Sequence, residues 1–438
     1  MNKEKGFDRP PYIKIREADI NGIFQGGLEY NPPARGMWNI VHTGMLVPEA
    51  HEIFACAQGC LRGVILTAAE MLALDRLSWI SVSEQDMFDG TLEQDITDGV
   101  DEILSKLKKR PPVVLLYLSC IHLFAGVDFE AILQTLREHN PGIYFVDCYM
   151  TPTMRTTVSP VMKMSAQIYG ALNPLPPDKK CVAIVGNDRA TDEDSELVRI
   201  IRQNGFTLFD IAYCKTFDEY LEMAKSSLNI SYIPTGVLAG DELEKRFGIR
   251  HLHIPASYDF NTIEYNYSLL CQALGVEKPD LSKDISEASS ALDDALSVIG
   301  DTPVAVDYTA VTRPFELAAL LCKHGFNVKY VIADSAGGES EAFEWLKENV
   351  PELMIYSPVN VNMLTFPEKP HESILAIGQK AAHYFSSDNF VNIIVNGGYY
   401  GFSGIKKLAV LMKEAYLTPK DRKALLRLKG MGCASCLI

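Results

Sequence analysis

Val182-Ala183-Ile184-Val185-Gly186-Asn187-Asp188 leads into Glu196-Leu197-Val198-Arg199-Ile200-Ile201-Arg202-Gln203-Asn204-Gly205-Phe206. The same order returns at Val304-Ala305-Val306-Asp307-Tyr308 and Glu316-Leu317-Ala318-Ala319-Leu320-Leu321-Cys322-Lys323-His324-Gly325-Phe326, with identical Glu to Gly-Phe spacing. A continuous apolar run followed by an amphipathic, glycine-stopped helix is the pattern of a strand buried on both faces and its crossover. A third copy precedes these, with Val113 to Cys120, then Phe129 to Arg137, then Ile143 to Asp147. Right-handed crossovers between such strands build doubly wound parallel sheets, so the chain reads as α/β with three such domains in tandem. Asn173-Pro174-Leu175-Pro176-Pro177-Asp178 separates the first from the second, and the acidic, serine-rich stretch Pro279 to Asp301 separates the second from the third. The expected boundaries are 1–178, 179–285 and 286–438.

Composition agrees with this size. A chain of 438 residues with 47% hydrophobic and 22% charged residues can bury several cores. The formal charge of −15 and the lack of a basic stripe argue against nucleic acid or an anionic membrane as partner. The polar start Met1-Asn2-Lys3-Glu4-Lys5-Gly6 lacks the apolar core of a secretory signal. The longest apolar run, around Val113 to Val127, contains Ser119, Cys120 and His122 and is too short to span a bilayer. The expectation is a cytoplasmic protein, in which the ten cysteines are thiols or metal ligands rather than disulfides.

Three stretches carry chemistry. Cys56 and Cys60 lie in Phe54-Ala55-Cys56-Ala57-Gln58-Gly59-Cys60-Leu61-Arg62-Gly63, and Cys120 ends the apolar run beginning at Val113, with His42, His51 and His122 nearby in sequence. Open α/β sheets collect ligands from loops at the carboxyl ends of strands. Iron–sulfur clusters need several converging thiolates, so Cys56, Cys60 and Cys120 are the candidate metal ligands. Cys181 and Cys271, by contrast, read as small buried hydrophobes. A second stretch, Cys433-Ala434-Ser435-Cys436, has half of a metal-site spacing but no second pair nearby, and reads as an exposed tail. The third runs from Val391 through Asn396-Gly397-Gly398-Tyr399-Tyr400-Gly401-Phe402-Ser403-Gly404 into a helix from Ile405 to Lys413. A glycine-rich turn at a helix N-terminus is a natural anion cradle. Asn396 stands where a dinucleotide fingerprint needs glycine, and no phosphate-binding G-x4-G-K-[ST] loop occurs, which argues against nicotinamide binding and nucleotide hydrolysis.

The Gln58-Gly59-Cys60 turn, the Ser119-Cys120 strand end with Gly126-Val127-Asp128, the Gly205-Phe206 unit and the closing Gly398 to Gly404 motif together resemble the α-type subunit of nitrogenase component 1 and the related nitrogenase-like reductases. The resemblance covers nearly the whole chain. It implies three Rossmann-like domains, a homodimer or heterodimer, an iron–sulfur cluster, most simply [4Fe–4S], near the subunit interface, and electrons from a separate ATP-dependent iron protein. The departures matter as much. No third cluster cysteine occurs near Ala34-Arg35-Gly36, leaving Cys56 as substitute and a fourth ligand to come from the partner chain, a carboxylate or His, or a non-protein group. Tyr232 and Tyr400 stand where the family's cofactor-binding Cys and His would fall, so no molybdenum cofactor is expected. The remaining inter-domain pocket would be lined by Tyr399, Tyr400, His42 and Asn396, with Tyr400 and His42 as candidate catalytic groups toward a small-molecule substrate. Alternatives are a scaffold on which a metal cofactor is assembled, and a binding protein that uses its cysteines only for packing.

Overall fold

A computed structural model describes residues 10–24, 39–151, 158–365 and 373–427. Three sheets organise them. The first has the strand order Leu77–Val82, His51–Ala57, Val113–Ser119, Tyr144–Met150, all parallel. The second repeats this arrangement with Thr207–Asp210, Cys181–Ile184, Leu228–Ser231 and Arg250–His253. The third places Met354–Tyr356, Val328–Ile332, Val304–Asp307, Leu375–Ile377 and Phe390–Val391 side by side in parallel.

The continuous apolar runs behave as expected of strands covered on both faces. All seven residues of Val113–Ser119 are buried. Leu115 and Tyr117 enter one core and Leu116 and Leu118 another, as the period of two requires. Ser119 then ends the strand, and a short helix, Cys120–Phe124, starts at once.

Two segments depart from the sequence reading. Tyr12–Lys14 forms an antiparallel edge strand on Met354–Tyr356, so the third sheet is not purely parallel and the N-terminal segment joins it rather than the first sheet. Lys14 and Arg16 bind Glu352, and the Ile15 amide donates to the Leu353 carbonyl at 2.8 Å. The stretch read as a separator, Pro279 to Asp301, contains an 18-residue helix, Ser282–Ile299. Ala288, Leu292, Ala295 and Ile299 recur at helical spacing and are buried, and the helix packs on the helix Gly401–Leu417. The apolar stripe outweighs the serines. We propose the partition at residues 178 and 285, with Tyr12–Lys14 assigned to the third unit.

Gly186 ends the first strand of the second sheet with φ +76°, where a methyl group would overlap the Cα of Gly236. Gly205 has nearly the same φ, +75°, with open space around it. Gly186→Ala should therefore lose roughly 2–4 kcal/mol, strain plus overpacking, and Gly205→Ala about 1 kcal/mol from backbone strain alone. Chemical denaturation of both variants checks this, and equal losses would contradict the close approach of the two glycines.

Candidate functional site

In a doubly wound sheet the crevice lies where the strand order reverses. In the first sheet that point is between His51–Ala57 and Val113–Ser119, and these are the strands that the candidate cysteines terminate. Cys60 is in the first turn of the helix Gln58–Glu70 and is exposed. Cys120 opens the helix Cys120–Phe124 and is half-buried, its Sγ 3.8 Å from the Met150 carbonyl oxygen. Both leave the same sheet edge on neighbouring strands.

Cys56 differs from these two. It is fully buried and packs in one core with Phe54, Val41 and Tyr117. Burial, and then the neighbouring Cys60, push its thiol up to about 12, which favours the protonated, packing form over a thiolate. Among the described residues no three His, Cys, Asp or Glu side chains are arranged to hold a metal. The donor set for a cluster at this edge is thus one exposed, one half-buried and one enclosed thiol, incomplete among the described residues. Ala34, Arg35 and Gly36, where a third cysteine was sought, and Cys433 and Cys436 lie outside the described residues.

His42 sits at the third position of the helix Ile40–Gly44 and is buried. Its Nδ1 lies 3.3 Å from the Asn39 amide and 3.0 Å from Asn39 Oδ1, so it belongs to the helix cap of the first unit. His51 Nε2 meets Ser78 Oγ at 2.8 Å, and burial lowers His51 to about 4. His122 directs Nδ1 at the Ser119 amide, 3.2 Å away. His122 lies at the carboxyl edge with Cys120, whereas His51 opens its strand at the opposite, amino edge.

The second crevice opens between Cys181–Ile184 and Leu228–Ser231 and faces the glycine-rich loop of the third unit. Tyr232 and Tyr400 meet here, ring centroids 5.2 Å apart, with Tyr267 edge-on to Tyr400 at 5.9 Å. Their hydroxyls are engaged, Tyr232 with Thr191 Oγ1 at 3.1 Å and Tyr400 with the Ile254 carbonyl at 3.2 Å. Burial raises both phenols far above their ordinary range. Beside Tyr400, among Tyr258, Ile393, Asn396 and Tyr399, a cavity of only about 10 Å³ remains. These positions offer neither thiol nor imidazole and are packed with aromatic rings, which does not fit a large metal cofactor. Tyr400 packs between units, and Asn396 is likewise internal: it accepts from the Thr312 amide at 2.9 Å and donates to Thr312 Oγ1 at 3.0 Å.

The anion cradle at the helix Gly401–Leu417 is filled by the chain itself. Glu196 Oε1 accepts from the Ser403 amide at 2.9 Å, and Oε2 accepts from Tyr267 at 2.8 Å and Ser403 Oγ at 3.3 Å. A carboxylate at a helix N-terminus is favoured by the exposed amides and the helix dipole. Gly401 is needed here because a Cβ would overlap the Tyr267 hydroxyl and Glu196 Oε2. The equivalent glutamate of the later repeat, Glu316, accepts from Ser257 Oγ at 2.7 Å and the Tyr258 amide at 3.1 Å. Sequence reading passed over both roles, although the repeated Glu to Gly-Phe spacing was their signal.

The fold agrees with the comparisons. A family description, nitrogenase component 1 type oxidoreductase, matches residues 41–415. The chain belongs to that family. Among solved structures it is similar to nitrogenase Cp1 at pH 6.5, with a TM-score of 0.67 and 15% identity over 90% of this chain and 94% of that one. Nitrogenase Cp1 at pH 5 matches with a TM-score of 0.60 and 12% identity over 93% and 94% of the two chains. No curated protein sequence matches significantly. The three-sheet α/β architecture is therefore that of nitrogenase component 1.

Asp188, in the loop after Cys181–Ile184, is buried, and its Oδ1 has no hydrogen-bond partner among the described residues. Burial raises its carboxyl from 3.8 to about 7, with Arg189 opposing. A raised carboxyl contributes its full stability below the unfolded value and loses it as pH rises toward the folded one. Asp188→Asn should thus match wild type near pH 4 and become more stable as pH climbs to about 7, by at most roughly 4 kcal/mol. Denaturation midpoints across that window decide it, and a pH-independent difference would contradict a buried neutral carboxyl.

Proposed function

We propose that this chain is the catalytic component of a nitrogenase-like two-component reductase. In this reading it receives low-potential electrons from an ATP-dependent iron protein and passes them, through an iron–sulfur cluster, to a small substrate. The observation that carries this reading is the pair Cys60, exposed, and Cys120, half-buried, each just past one of the two strands that flank the switch point of the first sheet. They would hold the cluster, with Cys56 as the enclosed third thiol and the remaining ligand from outside the chain. When bound, such a cluster supplies one-electron transfer. The protein's part is to fix the two sulfurs on a rigid sheet edge and to leave them open toward a partner.

The surroundings support a partner at that edge. Leu66, Trp79, Leu123 and Phe124 are exposed large apolar residues on the helix carrying Cys60, the edge strand of the same sheet and the helix carrying Cys120. Phe88, on the helix after that strand, is 86% exposed. Apolar side chains gathered on one unit mark an interaction surface, and a dimer closing there would shield the thiols. No helix among the described residues is long and apolar enough to cross a membrane, which suits a cytoplasmic assembly.

Anaerobically purified Cys60→Ala and Cys120→Ala should lose iron, sulfide and cluster absorbance, whereas Cys271→Ala, at a packing position, should keep them. Unchanged iron in both of the first two variants would sink the assignment. With the cognate iron protein, ATP and a reductant, the cluster should undergo ATP-dependent reduction. Elemental analysis should find no molybdenum, because Tyr232 and Tyr400 occupy the cofactor positions with packed rings, and stoichiometric molybdenum would overturn that part.

A further inference from the structure

Outside the cysteine edge, four side chains of the second unit form one hydrogen-bonded line. Asp241 Oδ1 lies 2.8 Å from His251 Nδ1, His251 Nε2 lies 2.8 Å from Ser231 Oγ, and Ser231 Oγ lies 2.8 Å from His253 Nδ1. The line begins in solvent, since the Asp241 side chain is 61% exposed while that of His251 is 5% exposed. It passes through Ser231, which is fully buried at the end of Leu228–Ser231. The fold makes room for it: a Cβ on Gly240, next to Asp241, would overlap the His251 ring.

The far end lies at the seam between units. His253 closes the strand Arg250–His253, and the next residue, Ile254, gives its carbonyl to Tyr400. Arg313 of the third unit is within electrostatic reach of the His253 ring, as are His251 and Asp241. Arg313 in turn pairs with Glu316.

Hydrogen-bond chemistry fixes the direction of the line. An exposed carboxylate at neutral pH only accepts, so His251 carries its proton on Nδ1 and offers a bare Nε2. That lone pair takes the Ser231 hydroxyl proton, and the Ser231 oxygen then accepts from His253 Nδ1–H. His253 Nε2 is left as a base. The same order of carboxylate, imidazole and hydroxyl occurs in acyl-transfer enzymes, but Ser231 is fully buried and held by two imidazoles, which leaves no approach for an acyl carbon.

We propose that Asp241, His251, Ser231 and His253 form a proton relay between solvent and a ligand at the seam beside Arg313. In delivery, a proton resides on His251 as imidazolium against Asp241. In that loaded state the Ser231 hydroxyl turns to His253, whose proton sits on Nε2 and whose Nδ1 is bare; His251 Nε2–H then passes its proton to Ser231 Oγ as the Ser231 hydroxyl proton moves to His253 Nδ1, and the His253 Nε2 proton leaves to the ligand, which restores the resting Nδ1–H form. One proton enters at Asp241 and one departs at His253. In the reverse direction the positive charge moves from His253, where burial, His251 and Arg313 oppose it, to His251, where the Asp241 carboxylate faces it. That the ligand is a compound taking up protons as it is reduced rests on the reductase reading above. The wiring itself does not, and its test needs neither cluster nor substrate.

The experiment is long-range 1H–15N NMR on the full chain labelled at histidine, at neutral pH. Both His251 and His253 should appear as the Nδ1–H tautomer, the minor form of a free imidazole in water. Ser231→Ala should return His253 to the Nε2–H form, and Ser231→Thr, which keeps the hydroxyl, should not. Asp241→Asn alters only an exposed side chain, so folding is preserved even if the serine variants fail. It should shift the tautomer balance of His253, a residue Asp241 does not touch. A wild-type His253 in the Nε2–H form, or a His253 indifferent to Asp241→Asn, overturns the relay while leaving the cluster assignment standing.

Discussion

The second and third units are joined by two carboxylates, Glu196 buried and Glu316 partly buried, that act in opposite directions. Glu196 reaches from the second unit to the N-terminus of Gly401–Leu417, and Glu316 reaches back from the third unit to Ser257 and Tyr258. Burial raises the Glu196 carboxyl, and the Tyr267 and Ser403 hydrogen bonds oppose that rise. A charge taken out of water survives only where its lone pairs are met. The clamp therefore demands a fixed relation between the units, and the aromatic packing of Tyr232, Tyr267 and Tyr400 follows from it. Because both glutamates occupy the same place in the repeated motif, one sequence feature used twice holds both sides of the seam.

The sites follow from topology. Each sheet reverses its strand order once, and at each reversal the loops part and leave backbone and side chains open. In the first sheet the opening carries two thiols toward the outside. In the second the corresponding opening faces another unit and is filled with tyrosines. The difference arises from what covers each edge, since the two sheets share one strand order. In the proposed function, electron entry falls at the first of these openings and not at the second.

The repeat, the parallel strands and the strand-end position of Cys120 were legible because they rest on periodicity and on apolar runs of seven or so residues, such as Val113–Ser119. Tyr12–Lys14 was not, because a strand of three residues carries too little pattern and its partner is more than three hundred residues away in sequence. Ser282–Ile299 was read from its serines and acids only as a separator, although Ala288, Leu292, Ala295 and Ile299 held the helical stripe. The glycine-rich loop was recognised as a cradle, but the occupant, Glu196, lies 207 positions away from Ser403. The same remoteness hid the line from Asp241 to His253, which needs a strand end, a helix and a second strand to be placed together.

At the seam, a closed packing of tyrosines lies beside exchangeable hydrogen bonds. Electrons tolerate distance through packed protein, whereas protons move only along hydrogen bonds that can each be remade. The interior around Tyr400 is closed and its hydroxyl is committed to Ile254, so it cannot both hold the units together and exchange protons freely. His253, one residue before that carbonyl, is only partly buried and is tied through a hydroxyl to an imidazole and an exposed carboxylate. A rigid tyrosine packing set beside an exchangeable histidine divides structural and protonic duties between neighbouring residues of one strand end. That division leaves the Tyr400 hydroxyl, fixed on the Ile254 carbonyl, to hold the seam while proton exchange falls to His253.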